Sequence, residues 1–100
     1  MEPQLQAKKL EVVELCEQYG VARLWAFGSA VTGSFNSEKS DYDFLVDWKP
    51  SRKRGAWGDY EFRMKLRYIL GRDIDLIEDK VIKNPYFAYE TRSVAVPIYG

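Results

Sequence analysis

The sequence predicts an α+β fold of two layers, in which a small mixed β-sheet carries helices packed mainly on one face. Apolar residues recur at helical spacing in the stretches 4–19 and 59–70. The stretch 41–48 is apolar on both faces beyond its first residues, which suits a central strand of a sheet with a helix on one side. The stretch 94–99 is short, β-branched and contains a proline, which is typical of an edge strand.

Length and composition limit the class of protein. The chain has 100 residues, so we expect 1–100 to form one domain with no room for a second. Hydrophobic residues make up 46% of the chain and charged residues 30%, which is ordinary for a soluble globular protein. Because 15 basic and 15 acidic residues balance, no overall field attracts nucleic acid. We therefore expect no free-standing nucleic-acid binding.

The residue types present and absent exclude several chemistries. Histidine is absent, which excludes imidazole metal sites, Ser-His-Asp hydrolysis and histidine general bases. Cys16 is the one cysteine, and its place on the apolar side of the first helix predicts a core residue rather than a reactive thiol. No apolar run approaches about 18 residues and the first twenty lack the pattern of a signal peptide. We expect no membrane association and a cytoplasmic location.

The first part of the chain predicts a helix followed by a strand. Helix 4–19 has Pro3 in its first turn and Gly20 just past its end, where both residues favour helix boundaries. The apolar stretch 22–27 predicts a strand that ends at Gly28.

Besides the central strand 41–48, the rest of the chain predicts a loop, two helices and a further strand before the closing edge strand. Residues 33–40 are rich in Ser, Gly and Asn, which predicts a loop. Helix 59–70 ends at Gly71, and the stretch 73–78 then alternates strictly as a strand does. An Asn-Pro pair favours the start of a further helix at 85–93.

A pair of acidic residues opens the predicted central strand. Asp41 and Asp43 project from the same face, because residues two apart on a strand point the same way. Two adjacent carboxylates raise each other's pKa unless a cation lies between them. We expect Mg²⁺, because hard divalent ions prefer oxygen ligands. Asp47 lies further along the same side and is expected at an edge or in solvent.

A glycine turn precedes this acidic pair. Gly28 would let the backbone approach a ligand closely, and Ser29 can cap the turn that follows. Together with the acids, this turn predicts a phosphate site at a helix N-terminus, whereas Ser29 taken alone is explained as a simple helix cap. The spacing from Gly28 to Gly33 resembles the start of a P-loop, but Ser34-Phe35 stands where Lys followed by Ser or Thr is required. A P-loop ATPase is excluded.

A third carboxylate can come from the strand 73–78. Asp73 and Asp75 lie on one face of this strand, and either could join the first pair if the two strands are neighbours. Acidic residues on a strand face are also commonly solvated, so the residues alone leave the role of Asp75 open.

These motifs together resemble a known family. Phe27-Gly28-Ser29, eleven further residues and then Asp41-Tyr42-Asp43-Phe44 resemble the signature of the DNA polymerase beta-like nucleotidyltransferase superfamily. The chain most resembles its smallest branch, the minimal nucleotidyltransferases of bacteria and archaea, which are often encoded beside a HEPN-domain protein. The stretches 71–77 and 95–99 match that branch in order. The chain departs from it in a longer loop and in Ala30, where the branch usually has Arg, and the missing Arg bears on triphosphate affinity.

The resemblance implies a polymerase beta-like core and a two-metal site. Asp41, Asp43 and Asp75 would be the catalytic metal ligands, with Asp73 as the fallback for the third, and Gly28 and Ser29 would bind the nucleotide. Two Mg²⁺ ions are expected, with Mn²⁺ as a substitute. The implied reaction moves AMP from ATP to a hydroxyl, a tyrosine in the branch, on a HEPN-domain toxin that this chain would neutralise as its antitoxin. An oligomer with that partner is expected.

Three functions stay open at this stage. The first is the active nucleotidyltransferase, and the second is a catalytically weak nucleotide-binding module that silences its partner stoichiometrically, which Ala30 favours. The third is an Asp-x-Asp glycosyltransferase site for a nucleotide sugar, although such folds are much longer. The basic turn 49–54 predicts a solvated loop, with contact to a partner or to substrate phosphates as the alternative.

Overall fold

The computed structural model describes residues 3–28, 41–50, 56–78 and 94–100. The predicted loop 33–40, the predicted helix 85–93 and most of the basic turn 49–54 lie outside these ranges. The described chain forms three helices and four strands, in the order α1 (Pro3–Ala7), α2 (Lys9–Tyr19), β1 (Val21–Phe27), β2 (Tyr42–Trp48), α3 (Ala56–Leu70), β3 (Ile74–Glu78) and β4 (Val96–Tyr99).

The four strands form one mixed sheet in the order β3-β2-β1-β4. Strand β1 runs antiparallel to both β2 and β4, whereas β2 runs parallel to β3. The prediction of β2 as a central strand and of the closing segment as an edge strand is confirmed. Pro97 is tolerated in β4 because an edge strand can leave one side of its backbone without ladder hydrogen bonds.

The hydrophobic core lies between the helices and one face of the sheet. Alternate residues of β2 point into this core, where they meet the apolar faces of α2 and α3; the largest buried side chains include Tyr42, Phe44, Phe62, Leu66 and Leu70. Burial of each such side chain contributes about 1.5–3 kcal/mol. The intervening residues of β2 therefore project from the opposite face, and Asp43 is among them. The predicted fold class is confirmed.

The first predicted helix is divided at Lys8. The prediction of one helix over 4–19 is wrong in this detail, because the Lys8 backbone (φ −97°, ψ 7°) separates α1 from α2. The hydrogen bond from the Lys8 amide to the Gln4 carbonyl (3.0 Å) still spans the break. On α1, the Gln4 side-chain amide donates to the Leu70 carbonyl at 2.8 Å, so α1 caps the C-terminal end of α3. None of the helices in the described ranges is both long and apolar enough to span a membrane.

A short turn connects α3 to β3. Gly71 adopts φ 70°, the left-handed conformation that commonly ends helices, and its amide donates to the Arg67 carbonyl at 2.7 Å. Only residues 71–73 separate the helix from Ile74, the first residue of β3. The position of β3 is therefore closely tied to the end of α3.

Cys16 is fully buried in the core, as predicted. Burial, and to a smaller extent the charge of Glu17, raises the pKa of its thiol to about 12.

We expect a thiol-alkylating reagent at about pH 8 to leave the folded protein unlabelled and to label it rapidly in denaturant, because alkylation requires the thiolate. Replacing Cys16 with Ser should lower the free energy of unfolding by about 1–3 kcal/mol, measured by urea titration. Rapid labelling of the folded protein would contradict this account.

Candidate active site

Two of the predicted acids are direct neighbours across the sheet. In the parallel pairing of β2 with β3, Asp43 lies in register with Asp75. Residues paired in this way project from the same face of a sheet. Both carboxylates therefore project from the face opposite to the helices. The sequence placed these residues on separate strands, and the structure brings them together.

The third predicted acid lies close to this pair of carboxylates. Asp41 lies just before β2, two residues from Asp43, and is exposed. The pKa of Asp43 is raised from its ordinary value, first by burial, then by the negative charge of Asp75 and then by that of Asp41. The three carboxylates are therefore close enough to interact electrostatically at one end of β2.

The chemistry of these donors fits a hard divalent cation. They are all carboxylates, and the pKa of Asp43, which is raised by burial and then by the negative charges of Asp75 and Asp41, would be lowered by a cation between them. Within the described ranges, no group of three or more Cys, Asp or Glu side chains is already arranged to hold a metal ion. The acids thus share one region of the sheet.

Gly28 lies beside the acids at the end of β1. Its neighbour Phe27 pairs in register with Asp43, and Gly28 itself adopts φ 71°. A Cβ atom added at this position would overlap the Asp43 carboxylate. Glycine is therefore required here both by the left-handed backbone and by the space that Asp43 occupies. Ser29 lies outside the described residues, so its nucleotide-binding role stays a prediction.

Asp73 is engaged by a different element. Its carboxylate forms a salt bridge with Arg67 Nε of α3 at 3.0 Å. Both side chains are more than half exposed. Its backbone carbonyl accepts a hydrogen bond from the Tyr42 amide at 3.0 Å. Because Asp73 is held by Arg67 while Asp75 pairs with Asp43, the structure favours Asp75 over Asp73 as the third acid.

Asp47 is neutralised by an arginine on the neighbouring strand. Arg23 Nη2 donates to Asp47 Oδ2 at 2.7 Å, and Nε donates to the same oxygen at 3.2 Å. The Arg23 guanidinium also lies over the Trp25 ring, 5.2 Å from its centroid. Asp47 is half-buried rather than simply solvated. The sequence signal for this pair was the single charged residue in an otherwise apolar strand β1.

One cavity lies away from Asp41, Asp43 and Asp75. It has a volume of about 460 Å³ and lies between α3 and the strands β2 and β3, where its lining includes Val46, Trp48, Asp59, Arg63 and Leu76. Val46 and Trp48 belong to the core-facing side of β2, whereas Asp43 faces the other way. We therefore do not assign this cavity to the acidic site.

The burial of the Asp43 carboxylate beside two further negative charges predicts a pH-dependent gain in stability for Asp43→Asn. A pKa raised by folding means that the folded protein holds this proton more tightly, so stability is lost as the pH rises from the ordinary value of 3.8 through the raised value, and the loss is complete above it. In metal-free buffer the variant should have a larger free energy of unfolding than the wild type at about pH 7. The gain should vanish below the ordinary carboxyl pKa of 3.8.

The measurement is urea unfolding with a chelator at about pH 7 and about pH 3. The matched control is Asp73→Asn, which removes an exposed ion pair worth about 0–1 kcal/mol and should show no gain. A less stable Asp43→Asn variant at about pH 7 would contradict the electrostatic account.

Comparison with known proteins assigns the chain to a family. The family model described as a nucleotidyltransferase domain matches residues 12–95. None of the curated proteins compared matches the chain. A solved structure provisionally described as a minimal nucleotidyltransferase is similar over 97% of this chain and 96% of its own, with 26% identity and a TM-score of 0.78.

Two toxin–antitoxin complexes contain chains of the same fold. A complex with AMP-PNP has 18% identity and a TM-score of 0.73, over 92% of this chain and 73% of the other. A complex of tri-AMPylated Shewanella oneidensis HEPN toxin with MNT antitoxin has 16% identity and a TM-score of 0.67, over 95% of this chain and 71% of the other. The chain thus belongs to the nucleotidyltransferase domain family, with minimal nucleotidyltransferases as its structural neighbours, as its Gly-Ser and Asp-Tyr-Asp motifs predicted.

Proposed function

We propose that the chain is a Mg²⁺-dependent nucleotidyltransferase that moves AMP from ATP to a hydroxyl of a HEPN-domain partner and thereby acts as its antitoxin. The observation that carries the proposal is the in-register pair of Asp43 and Asp75, which interacts electrostatically with Asp41 beside the Gly28 turn. Family membership supports nucleotidyl transfer as the reaction class. A glycosyltransferase site for a nucleotide sugar finds no support in that membership.

The three carboxylates would hold two metal ions. Asp41 and Asp43 would hold the ion that accompanies the triphosphate, and Asp75 would complete the site for a second ion on the acceptor side. The acceptor oxygen attacks the α-phosphorus, the bond to the leaving pyrophosphate breaks, and Asp75 receives the hydroxyl proton. Bound Mg²⁺ would supply neutralisation of the phosphate charge and a lower pKa for the acceptor hydroxyl.

The glycine turn would hold the triphosphate against the acids. Because Gly28 has no side chain, its backbone lies directly against the Asp43 carboxylate, so a phosphate bound at this turn would share an ion with that carboxylate. The following amides, with the Ser29 hydroxyl, would donate hydrogen bonds to phosphate oxygens. Positioning of this kind, together with charge neutralisation, provides most of the rate enhancement in phosphoryl chemistry.

The toxin–antitoxin neighbours support the partner and the transferred group. One of them is a HEPN toxin described as tri-AMPylated and in complex with MNT antitoxin, and another complex contains AMP-PNP, an analogue of ATP. By analogy, the acceptor of this chain would be a tyrosine hydroxyl on a HEPN-domain protein, and ATP would be the donor. A stable complex with that protein would present the hydroxyl to the exposed acidic face.

A second candidate is a binding module that silences the partner without transfer. Ala30 favours it, since the minimal branch usually has Arg at that position. The two candidates differ in whether a covalent label appears on the partner.

The transfer assay uses ATP labelled on the α-phosphate, Mg²⁺ and a HEPN-domain protein as the proposed partner. We expect covalent label on the HEPN protein with the wild type. Asp41→Asn, Asp43→Asn and Asp75→Asn should each slow labelling about a thousandfold, because a lost metal ligand costs about 4 kcal/mol of barrier. The matched control is Asp73→Asn, which lies on the same strand face but pairs with Arg67, and should retain labelling. Inhibition of the toxin without label would establish the binding module instead.

Metal binding is tested separately by thermal unfolding. We expect Mg²⁺ to raise the melting temperature of the wild type, since a ligand at 100 times its dissociation constant stabilises the folded state by about 2.7 kcal/mol. Asp43→Asn should abolish this shift, because it removes the carboxylate that lies between the other two. An equal shift in Asp43→Asn and in the wild type would place the ion elsewhere.

A further inference from the structure

We propose that Arg63 of α3 is a positioning residue for Asp75. Its Nε donates a hydrogen bond to the Ile74 carbonyl oxygen at 2.7 Å. That oxygen belongs to the peptide group that joins Ile74 to Asp75, and this planar group fixes the direction in which the Asp75 backbone starts. The inference rests on the proposed function, because that function gives Asp75 its task as the third metal ligand.

The hydrogen bond from Arg63 satisfies a backbone carbonyl of an edge strand. In the described sheet β3 is a terminal strand of five residues and pairs only with β2. The Asp73 carbonyl accepts from Tyr42 on β2, and successive carbonyls of a strand point to opposite sides, so the Ile74 carbonyl faces away from β2. Arg63 therefore bonds the side of β3 on which the described residues place no neighbouring strand.

The arginine is well placed to act as a fixed support. Phe62 and Leu66, on the same helix, are both fully buried in the core, which anchors α3 around Arg63. The turn at Gly71 and the contact of Gln4 with the Leu70 carbonyl fix the end of that helix. Strand β3 is thus held from one side by β2 and from the other by a side chain on an anchored helix. Asp75 stays opposite Asp43 because both sides are held.

Arg67, one helical turn later, provides a natural comparison. It also reaches the start of β3, but it contacts the Asp73 carboxylate rather than the backbone, and 54% and 59% of the two side chains are exposed. An exposed pair of this kind contributes little to stability, and breaking it leaves the backbone hydrogen bonds of β3 in place. Arg67 therefore matches Arg63 in residue type, in helix and in reaching the start of β3. It differs because it contacts a side-chain carboxylate, whereas Arg63 bonds a backbone carbonyl.

Two replacements separate the hydrogen bond from the charge. Arg63→Gln removes the charge but places an amide nitrogen at the position of Nε, three carbons from the backbone, so it can still donate to the Ile74 carbonyl. Arg63→Met keeps a flexible side chain of similar length and removes the donor. If the hydrogen bond positions Asp75, the glutamine variant should resemble the wild type and the methionine variant should not.

The experiment compares the wild type, Arg63→Met, Arg63→Gln and Arg67→Met in three measurements. We expect Arg63→Met to weaken the affinity for Mg²⁺ about tenfold, because loss of a residue that orients a metal ligand commonly has an effect of this size. The affinity is measured from the Mg²⁺-induced shift in melting temperature. Its labelling of the HEPN partner should fall in rate at saturating ATP with little change in the KM for ATP. Amide hydrogen exchange of Ile74–Glu78 should be faster than in the other three proteins.

The outcomes are decisive in each direction. The inference is overturned if Arg63→Met behaves as the wild type, if Arg63→Gln is impaired as much as Arg63→Met, or if Arg67→Met is impaired equally. If the wild type labels no partner, or binds no Mg²⁺, the proposed function fails. Hydrogen exchange in β3 then still decides whether Arg63 fixes the backbone before Asp75, because that measurement needs neither metal nor partner.

Discussion

The parallel register between β2 and β3 sets Asp43 beside Asp75 and directs both carboxylates to the face opposite the helices. A shift of one residue in this pairing would turn Asp75 toward the core side and bring Ile74 or Leu76 next to Asp43. The register is maintained by the buried apolar residues of β2, by the short turn after α3 and by the contacts of α3 with the start of β3. The site thus depends on core packing that lies on the other side of the sheet.

The distribution of charge follows from the same arrangement. Among the described side chains, arginines neutralise Asp47 and Asp73, which lie beyond the site on β2 and just before β3. The charges that act on Asp43 are instead those of two further carboxylates. Three negative charges are therefore brought together at one end of two strands, in a chain with no net charge. Such a local cluster of charge suits a divalent cation with its nucleotide better than an extended polyanion.

Much of this could be predicted from the sequence because the signals are local. Strict alternation identified β3, and the spacing of Asp41 and Asp43 placed them on one face before any pairing was known. The partner strand of β2 could not be derived from periodicity, because the residues alone do not say which strands are neighbours. The choice of Asp75 over Asp73 came from family resemblance, and the structure gives it a physical reason in the Arg67 ion pair. The break at Lys8 was missed, since the apolar positions 5, 12 and 16 keep one face through it.

The central claim is that three acids from two strands hold the metal ions of a nucleotidyl transfer. Its most direct measurement is the anomalous scattering of Mn²⁺ in crystals grown with a non-hydrolysable ATP analogue, because each peak locates an ion independently of any assay. The account predicts Mn²⁺ peaks within coordination distance of the carboxylates of Asp41, Asp43 and Asp75, with the triphosphate against the Gly28 turn. Peaks at another set of residues, or an Asp75 carboxylate that contacts no ion, would contradict it.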